Sequence, residues 1–217
     1  MKSGLKKIGI VDYGVGNLYS VEKAVKKFTD DVFIVEDADK IKTLDGLILP
    51  GTGSFQAGMD GLKVRNLTKE VISFAKSGKP VLGICLGAQI LLTKGYEFGE
   101  FNGLGLISGK VTKFSDLKSG TKIPHIGWNR ISFPKGISID NTIFKSVKPE
   151  SYAYFVHSYV IQPDNKTSIL AETVYGGHKF CSVIRKGNIY GCQFHPEKSG
   201  EIGLGIIKNF VSLVKTS

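Results

Sequence analysis

Through roughly the first hundred residues, short β-branched apolar runs alternate with longer stretches whose apolar positions recur every three or four residues. KKIGIVD (residues 6–12), VFIVE (32–36), LDGLILPG (44–51) and KPVLGIC (79–85) have the length and branching of buried strands. SVEKAVKKF (20–28), NLTKEVISFAKSG (66–78) and the run AQILLTKG (88–95) read as helices between and after them. Such alternation predicts an α/β fold with a parallel sheet wrapped by helices, and places ligands beyond the carboxyl ends of its strands.

From about Gly103 the texture changes. KVTKF, RISF, YAYFVHSYVI, FCSVIRKG and NIYGCQF are shorter strand candidates separated by Gly, Pro, Asn and Asp, a pattern that favours antiparallel pairing. A last segment, GLGIIKNFVSLVK, sets Leu204, Ile207, Phe210, Val211 and Val214 at helical spacing. No linker or internal repeat separates the halves. The expected architecture is α/β, one domain over residues 1–217 with a mixed, mainly parallel central sheet flanked by helices.

Composition changes this picture little. The 217 residues are 41% apolar and 22% charged, ordinary for a folded globular chain. The amino terminus starts basic like a signal peptide, but Asp12 interrupts its apolar stretch IGIV, which reads as a first strand. No apolar run approaches the length of a membrane span, so no membrane association is expected. The net charge of +10 would attract any acidic partner. Its lysines are scattered, however, without an arginine cluster interleaved with aromatics, and no nucleic-acid partner is expected. Three cysteines, Cys85, Cys181 and Cys192, lack CxxC spacing, which argues against a disulfide framework or a structural zinc site and for a reducing cytoplasm.

One of these cysteines sits in a chemically suggestive place. In KPVLGICLGAQ an apolar strand runs into Gly83, Ile84, Cys85, Leu86 and Gly87, the G-x-nucleophile-x-G elbow with cysteine in place of serine. Glycines two residues to either side relieve crowding at a tight strand-to-helix turn, and the helix amino terminus favours thiolate over thiol. Alone, the motif reads equally well as a small buried hydrophobe. Four histidines are available as a base, and His195 follows a strand in FHPEKS with Glu197 two positions on. In an extended stretch those side chains point the same way, so Glu197 can hold the imidazole in the tautomer that accepts a thiol proton.

Acyl transfer also needs amide donors for a developing oxyanion. The amide of Leu86 follows the nucleophile, and PGTG supplies Gly51, Thr52 and Gly53 after a strand, with glycines that permit unusual backbone angles. A phosphate-cradling loop is the rival reading, but no GKS, GKT or full G-x-G-x-x-G is present.

Together GICLGAQ, FHPEKS and PGTGSF resemble the class I, or triad, glutamine amidotransferases, and IGIVDYGVGNLYSV, IPHIGWN and YFVHSY narrow the resemblance to the glutaminase subunits of imidazole glycerol phosphate synthase. It runs nearly end to end. It implies a flavodoxin-like fold, no metal and no organic cofactor, and release of ammonia from L-glutamine through a cysteinyl thioester on Cys85, with His195 as base and acid and Glu197 as orienting carboxylate. By position it assigns Gln89, Glu97, Ser158 and Tyr159 to glutamine. Asn17, Trp128, Tyr154 and Lys198 fall at positions facing a (β/α)8 cyclase partner, which receives ammonia through a channel and makes imidazole glycerol phosphate and AICAR in histidine biosynthesis.

Bland alternatives stand beside these assignments: Trp128 as a core residue in a Gly-Trp-Asn turn, His125, His157 and Tyr154 as packing residues, Lys198 as merely solvated. Thr52 replaces the valine usual in the family. The departure bears on how the oxyanion loop is controlled, and it keeps open a paralogue feeding a surface-sugar amidotransferase. A stand-alone cysteine amide hydrolase and a non-enzymatic doubly wound binding protein are the other readings.

Overall fold

The computed structural model describes residues 6–216; the basic start at residues 1–5, and residue 217, lie outside the described residues. In chain order the elements are β1 (Ile8–Val11), α1 (Leu18–Val25), β2 (Val32–Val35), α2 (Ala38–Lys42), β3 (Gly46–Leu49), α3 (Phe55–Val64), α4 (Thr68–Lys76), β4 (Val81–Ile84), α5 (Leu86–Gln89) and β5 (Leu92–Gly95). There follow β6 (Phe101–Asn102), β7 (Ile107–Lys113), β8 (His125–Ile131), β9 (Ser151–His157), β10 (Tyr159–Pro163), β11 (Ile169–Tyr175), β12 (His178–Lys186), β13 (Ile189–Cys192) and α6 (Gly200–Leu213).

The mixed sheet has the order β2-β1-β3-β4-β13-β12-β10-β7-β5-β6, with β11 on β12. Its parallel half runs β2-β1-β3-β4-β13, and Cys192 pairs with Ile84 at the end of β4. The strands from β12 to β7 are antiparallel, as the change of texture past Gly103 predicts. β8 and β9 form a separate antiparallel pair in which Trp128 stands opposite Tyr154.

The apolar runs fit strands covered on both faces. Ile48, Leu82 and Ile84 enter one core with α1 and α6, whereas their neighbours Leu47, Leu49 and Val81 enter another with α3 and α4. Alternate residues of a strand thus feed opposite layers. In α6 the buried stripe is Gly203, Ile206, Ile207, Phe210 and Val211, with Leu204 only partly buried. Among the described residues no helix is long and apolar enough to cross a membrane, and all three cysteines are free and buried.

Two local expectations change. YAYFVHSYVI breaks at Ser158 into β9 and β10, which pair with different partners. The helical run after Cys85 lasts four residues and then becomes β5. Tertiary pairing overrides propensity there: Ile90, Leu91 and Leu92 are fully buried, and their carbonyls accept from the amides of Leu104, Leu106, Ile107 and Gly105. A one-turn helix adds less dipole at Cys85 than the longer one expected.

Candidate active site

β4 and β13 lie side by side and carry the two halves of the site to the same edge. Cys85 leaves β4 with φ 53° and ψ −108°, a conformation that L side chains rarely adopt, and its amide is anchored to the Cys192 carbonyl at 2.7 Å. The flanking glycines are demanded by contact. A Cβ on Gly87 would stand 1.8 Å from the Leu49 carbonyl oxygen, and one on Gly83 would stand 2.6 Å from that of Gly87.

β13 ends at Cys192, and the chain continues through Gln193 and Phe194 to His195, whose amide donates to the Tyr154 carbonyl. Pro196–Lys198 form a 3-10 turn, and this turn, rather than an extended stretch, brings Glu197 back onto the imidazole. His195 Nδ1 lies 2.8 Å from Glu197 Oε1, with both side chains almost wholly buried. Nδ1 therefore carries the proton in the neutral ring, leaving Nε2 to receive one. Nε2 is buried without a partner within hydrogen-bond distance among the described residues, and so is Glu197 Oε2. Burial would lower the His195 pKa, but the adjoining Cys85 and then Glu197 outweigh it and raise the value from 6.5 to about 9, favouring imidazolium beside the sulfur.

The sulfur opens on a cavity of about 250 Å3 lined by Thr52, Gly53, Cys85, Gln89, Glu97, Val156, His157, Ser158 and Tyr159, among others. That is a small volume for a ligand site, suited to a metabolite of amino-acid size. Thr52 and Gly53 are exposed on its rim, Gly53 with φ +121°, while Gly51 is buried deeper. Leu86 opens α5, so its amide is among those left free by the helix start. Glu97 Oε2 accepts from the Phe55 amide at 2.7 Å, which fixes a carboxylate at the wall. Larger cavities, of about 430 and 540 Å3, open elsewhere, but none of these triad residues lines them.

Three buried residues that the sequence did not mark as functional lie at or behind the cavity wall. Gln193 is fully buried; its Nε2 lies 3.9 Å from Cys85 Sγ, and its Oε1 accepts from Gln89 Nε2, which also reaches the Tyr159 carbonyl. The signal was a glutamine inside the apolar run CQF. His125 and His157 form a buried pair at 3.1 Å. His157 Nδ1 must donate to the Tyr159 carbonyl at 2.8 Å, so its Nε2 accepts from His125 Nδ1, and His125 Nε2 accepts from Asn129. Burial lowers the two pKa values to about 4 for His125 and about 3 for His157, keeping both rings neutral near pH 7. They do pack, His125 against Phe155 and Tyr175 and His157 against Phe114 and Phe180, but His157 also lines the cavity.

The residues assigned to a partner are not in the cavity. Trp128 sits in strand β8 rather than a turn, 55% exposed, with its ring 6.1 Å from that of Tyr154. Ile126, on the same face of β8, is also exposed. Asn17 caps α1 by accepting from the Ser20 amide, and Lys198 is exposed on the 3-10 turn, which packs against both α1 and β9.

The chain matches the family model "Glutamine amidotransferase class-I" over residues 9–213. It is 47% identical over 213 residues, covering 96% of this chain and all of the relative, to imidazole glycerol phosphate synthase subunit HisH 1 of Legionella pneumophila (strain Lens). It is 45% identical to subunit HisH of Caldanaerobacter subterraneus subsp. tengcongensis, covering 96% and 98% of the two chains. Among solved structures, PurLQS from Thermotoga maritima matches with a TM-score of 0.74 at 20% identity over 97% of this chain and 100% of that one. A putative GMP synthase subunit from Thermoplasma acidophilum matches at 0.68 and 23%, over 97% and 94%. At such identities the structures speak for the fold alone, but the sequence matches go further: this chain belongs to the class-I glutamine amidotransferases, within the family of HisH subunits of imidazole glycerol phosphate synthase.

Proposed function

We propose that the chain, as one amidotransferase domain over residues 1–217, hydrolyses L-glutamine to L-glutamate and ammonia for the cyclase half of an imidazole glycerol phosphate synthase, in histidine biosynthesis. The observation that carries the chemistry is the buried His195–Glu197 pair at 2.8 Å with a bare Nε2 beside Cys85, and Cys85 itself lines a cavity of amino-acid size.

His195 takes the Cys85 proton, and the thiolate attacks the side-chain amide carbon of glutamine. The oxyanion rests on the Leu86 amide and on amides of the Gly51, Thr52 and Gly53 loop. The imidazolium returns its proton to the leaving nitrogen, the C–N bond breaks, and ammonia departs. Water then hydrolyses the glutamyl thioester and restores the thiol. In this reading the Glu97 carboxylate meets the ammonium of glutamine, and Gln89, Ser158 and Tyr159, which line the same cavity, meet its other polar groups.

Ammonia freed into water at pH 7 becomes ammonium and loses its nucleophilic lone pair. Delivery through a protein channel to a (β/α)8 partner answers that need. Exposed Trp128 and Ile126 beside Tyr154, with Lys198 and Asn17 on neighbouring elements, supply an apolar patch with a polar margin. A cytoplasmic enzyme with these two subunits fits a chain carrying three free thiols.

The test mixes the chain with candidate barrel subunits and measures glutaminase activity with and without each acceptor, nucleotide or sugar. Activity is expected to rise with the cyclase and its nucleotide; stimulation only by a sugar-amidating enzyme would redirect the ammonia. Cys85→Ala should abolish turnover and keep partner binding, and retained turnover would sink the mechanism.

A further inference from the structure

The loop between β1 and α1, Asp12–Asn17, carries the sequence DYGVGN, and apart from Asn17 at the partner-facing patch none of its residues has been given a role above. Its tyrosine is fully buried, and the Tyr13 hydroxyl donates to the carbonyl oxygen of Pro50, the residue that opens the PGTG loop. Burial, with a contribution from Cys85, pushes the Tyr13 pKa far up, so the hydroxyl keeps its proton and stays a donor.

A second member of the loop closes on the same peptide. Gly16, at φ +104°, lies so near that a Cβ there would stand 3.1 Å from both the nitrogen and the Cα of Gly51. From the other side, a Cβ on Gly51 would meet the Tyr13 hydroxyl at 2.7 Å, Leu86 Cβ at 2.8 Å and the Gly87 nitrogen at 3.0 Å. The Pro50–Gly51 peptide is therefore held between the β1–α1 loop and the start of α5.

We propose that Tyr13 is a positioning residue for glutamine hydrolysis, whose hydroxyl fixes the Pro50–Gly51 peptide plane and thereby aims the amides of the PGTG loop at the oxyanion formed on Cys85. The inference rests on the reading of that loop as part of the oxyanion hole. The physical point is economy of motion: with the Pro50 carbonyl pinned, reorientation of the loop is confined to the peptides after Gly51. Those are the exposed residues Thr52 and Gly53. Donors fixed in advance stabilise developing charge best, because nothing needs to reorganise as it forms.

The experiment compares wild type, Tyr13→Phe and Gly51→Ala, each in complex with the cyclase partner. Glutaminase kcat and KM are measured alongside the rate of Cys85 alkylation by iodoacetamide, a displacement that needs the thiolate but no oxyanion hole. Tyr13→Phe is expected to lower kcat roughly 10- to 100-fold, less than deletion of an oxyanion donor, with KM within about threefold. Alkylation should proceed at the wild-type rate. A wild-type kcat in Tyr13→Phe, or a parallel fall in alkylation showing that the nucleophile itself is disturbed, overturns the inference. If Tyr13→Phe is normal while Gly51→Ala is impaired, the loop keeps its role and Tyr13 is not its anchor. If both turn over normally, the oxyanion reading of PGTG fails. Should Tyr13→Phe not fold, Gly16→Ala displaces the same peptide from the other loop residue, and the same fall in kcat with intact alkylation is expected.

Discussion

Cys85 occupies a backbone conformation, φ 53° and ψ −108°, that its side chain disfavours, and the strain should be measurable by removing the side chain in two steps. Cys85→Ala and Cys85→Gly both delete the nucleophile, but only glycine is free of the Cβ clash. At an ordinary buried position, Ala to Gly costs about 0.4–1 kcal/mol through the freedom gained by the unfolded chain. Loss of a buried methyl adds about 0.8 kcal/mol. An unstrained site therefore predicts a glycine variant less stable than the alanine one by about 1.2–1.8 kcal/mol. Relief of a sparsely populated φ/ψ returns about 1–3 kcal/mol, which brings the difference to near zero or makes glycine the more stable by about 0.5 kcal/mol at the middle of those ranges. Urea unfolding of the two inactive variants, with equal slopes required, reads the difference directly. Should the glycine variant come out less stable by more than about 1 kcal/mol, Cys85 is not strained and the elbow argument fails.

Thermal stability should peak near pH 6.5. The raised pKa of His195, about 9, means its stabilisation is complete below pH 6.5 and is lost as pH rises through 9, while the depressed values of His125 and His157 withdraw stability as pH falls from 6.5 toward 4 and 3. Melting temperatures across this range should lose their alkaline decline in His195→Gln, and an unchanged decline would locate its origin elsewhere. Glu197→Gln keeps an acceptor at Nδ1 but removes the charge, so the alkaline limit of kcat/KM should move toward neutral pH; a profile at the wild-type position would deny Glu197 that influence. Gly87→Ala should destabilise by about 3 kcal/mol, since its Cβ meets the backbone of Leu49 rather than a mobile side chain, and a variant with the wild-type denaturation midpoint would contradict that packing. Trp128→Ala should leave the free chain within about 0.5 kcal/mol of wild type, because the side chain is largely exposed, yet weaken cyclase binding roughly 30-fold by calorimetry.

What the sequence could show depended on the range of each signal. Strand runs such as VLGI and the stripe of α6 were legible because burial on both faces or one face writes itself into local periodicity. The elbow was legible too, because Gly83 and Gly87 answer to crowding within the turn itself, although Gly87 also yields to a distant strand, β3. The four-residue length of α5 was not, since it is set by amides of Leu104 to Ile107 that local pattern cannot count. His195 and Glu197 were paired correctly for an incomplete reason: two-residue spacing was read as extended chain, whereas Pro196 starts a 3-10 turn that returns the carboxylate to the ring.

The same contrast explains the residues that went unmarked. Gln193 and the two core histidines sit in runs that look apolar, Tyr13 directly follows one, and each is held by a bond to a residue well separated along the chain. Tyr13 reaches Pro50, Gln193 reaches Gln89, and His157 accepts a hydrogen bond from His125 while donating its own to the Tyr159 carbonyl. A buried polar side chain without its partner costs about 1–3 kcal/mol, so each of these bonds keeps a polar group from standing unpaired in the core. In this fold the partners converge on the loop after β3, on α5 and on the break between β9 and β10, which together surround Cys85. Gln193, His157 and Tyr13 were thus the sequence's own pointers to the surroundings of Cys85, and their meaning became readable only when the sheet order placed those elements together.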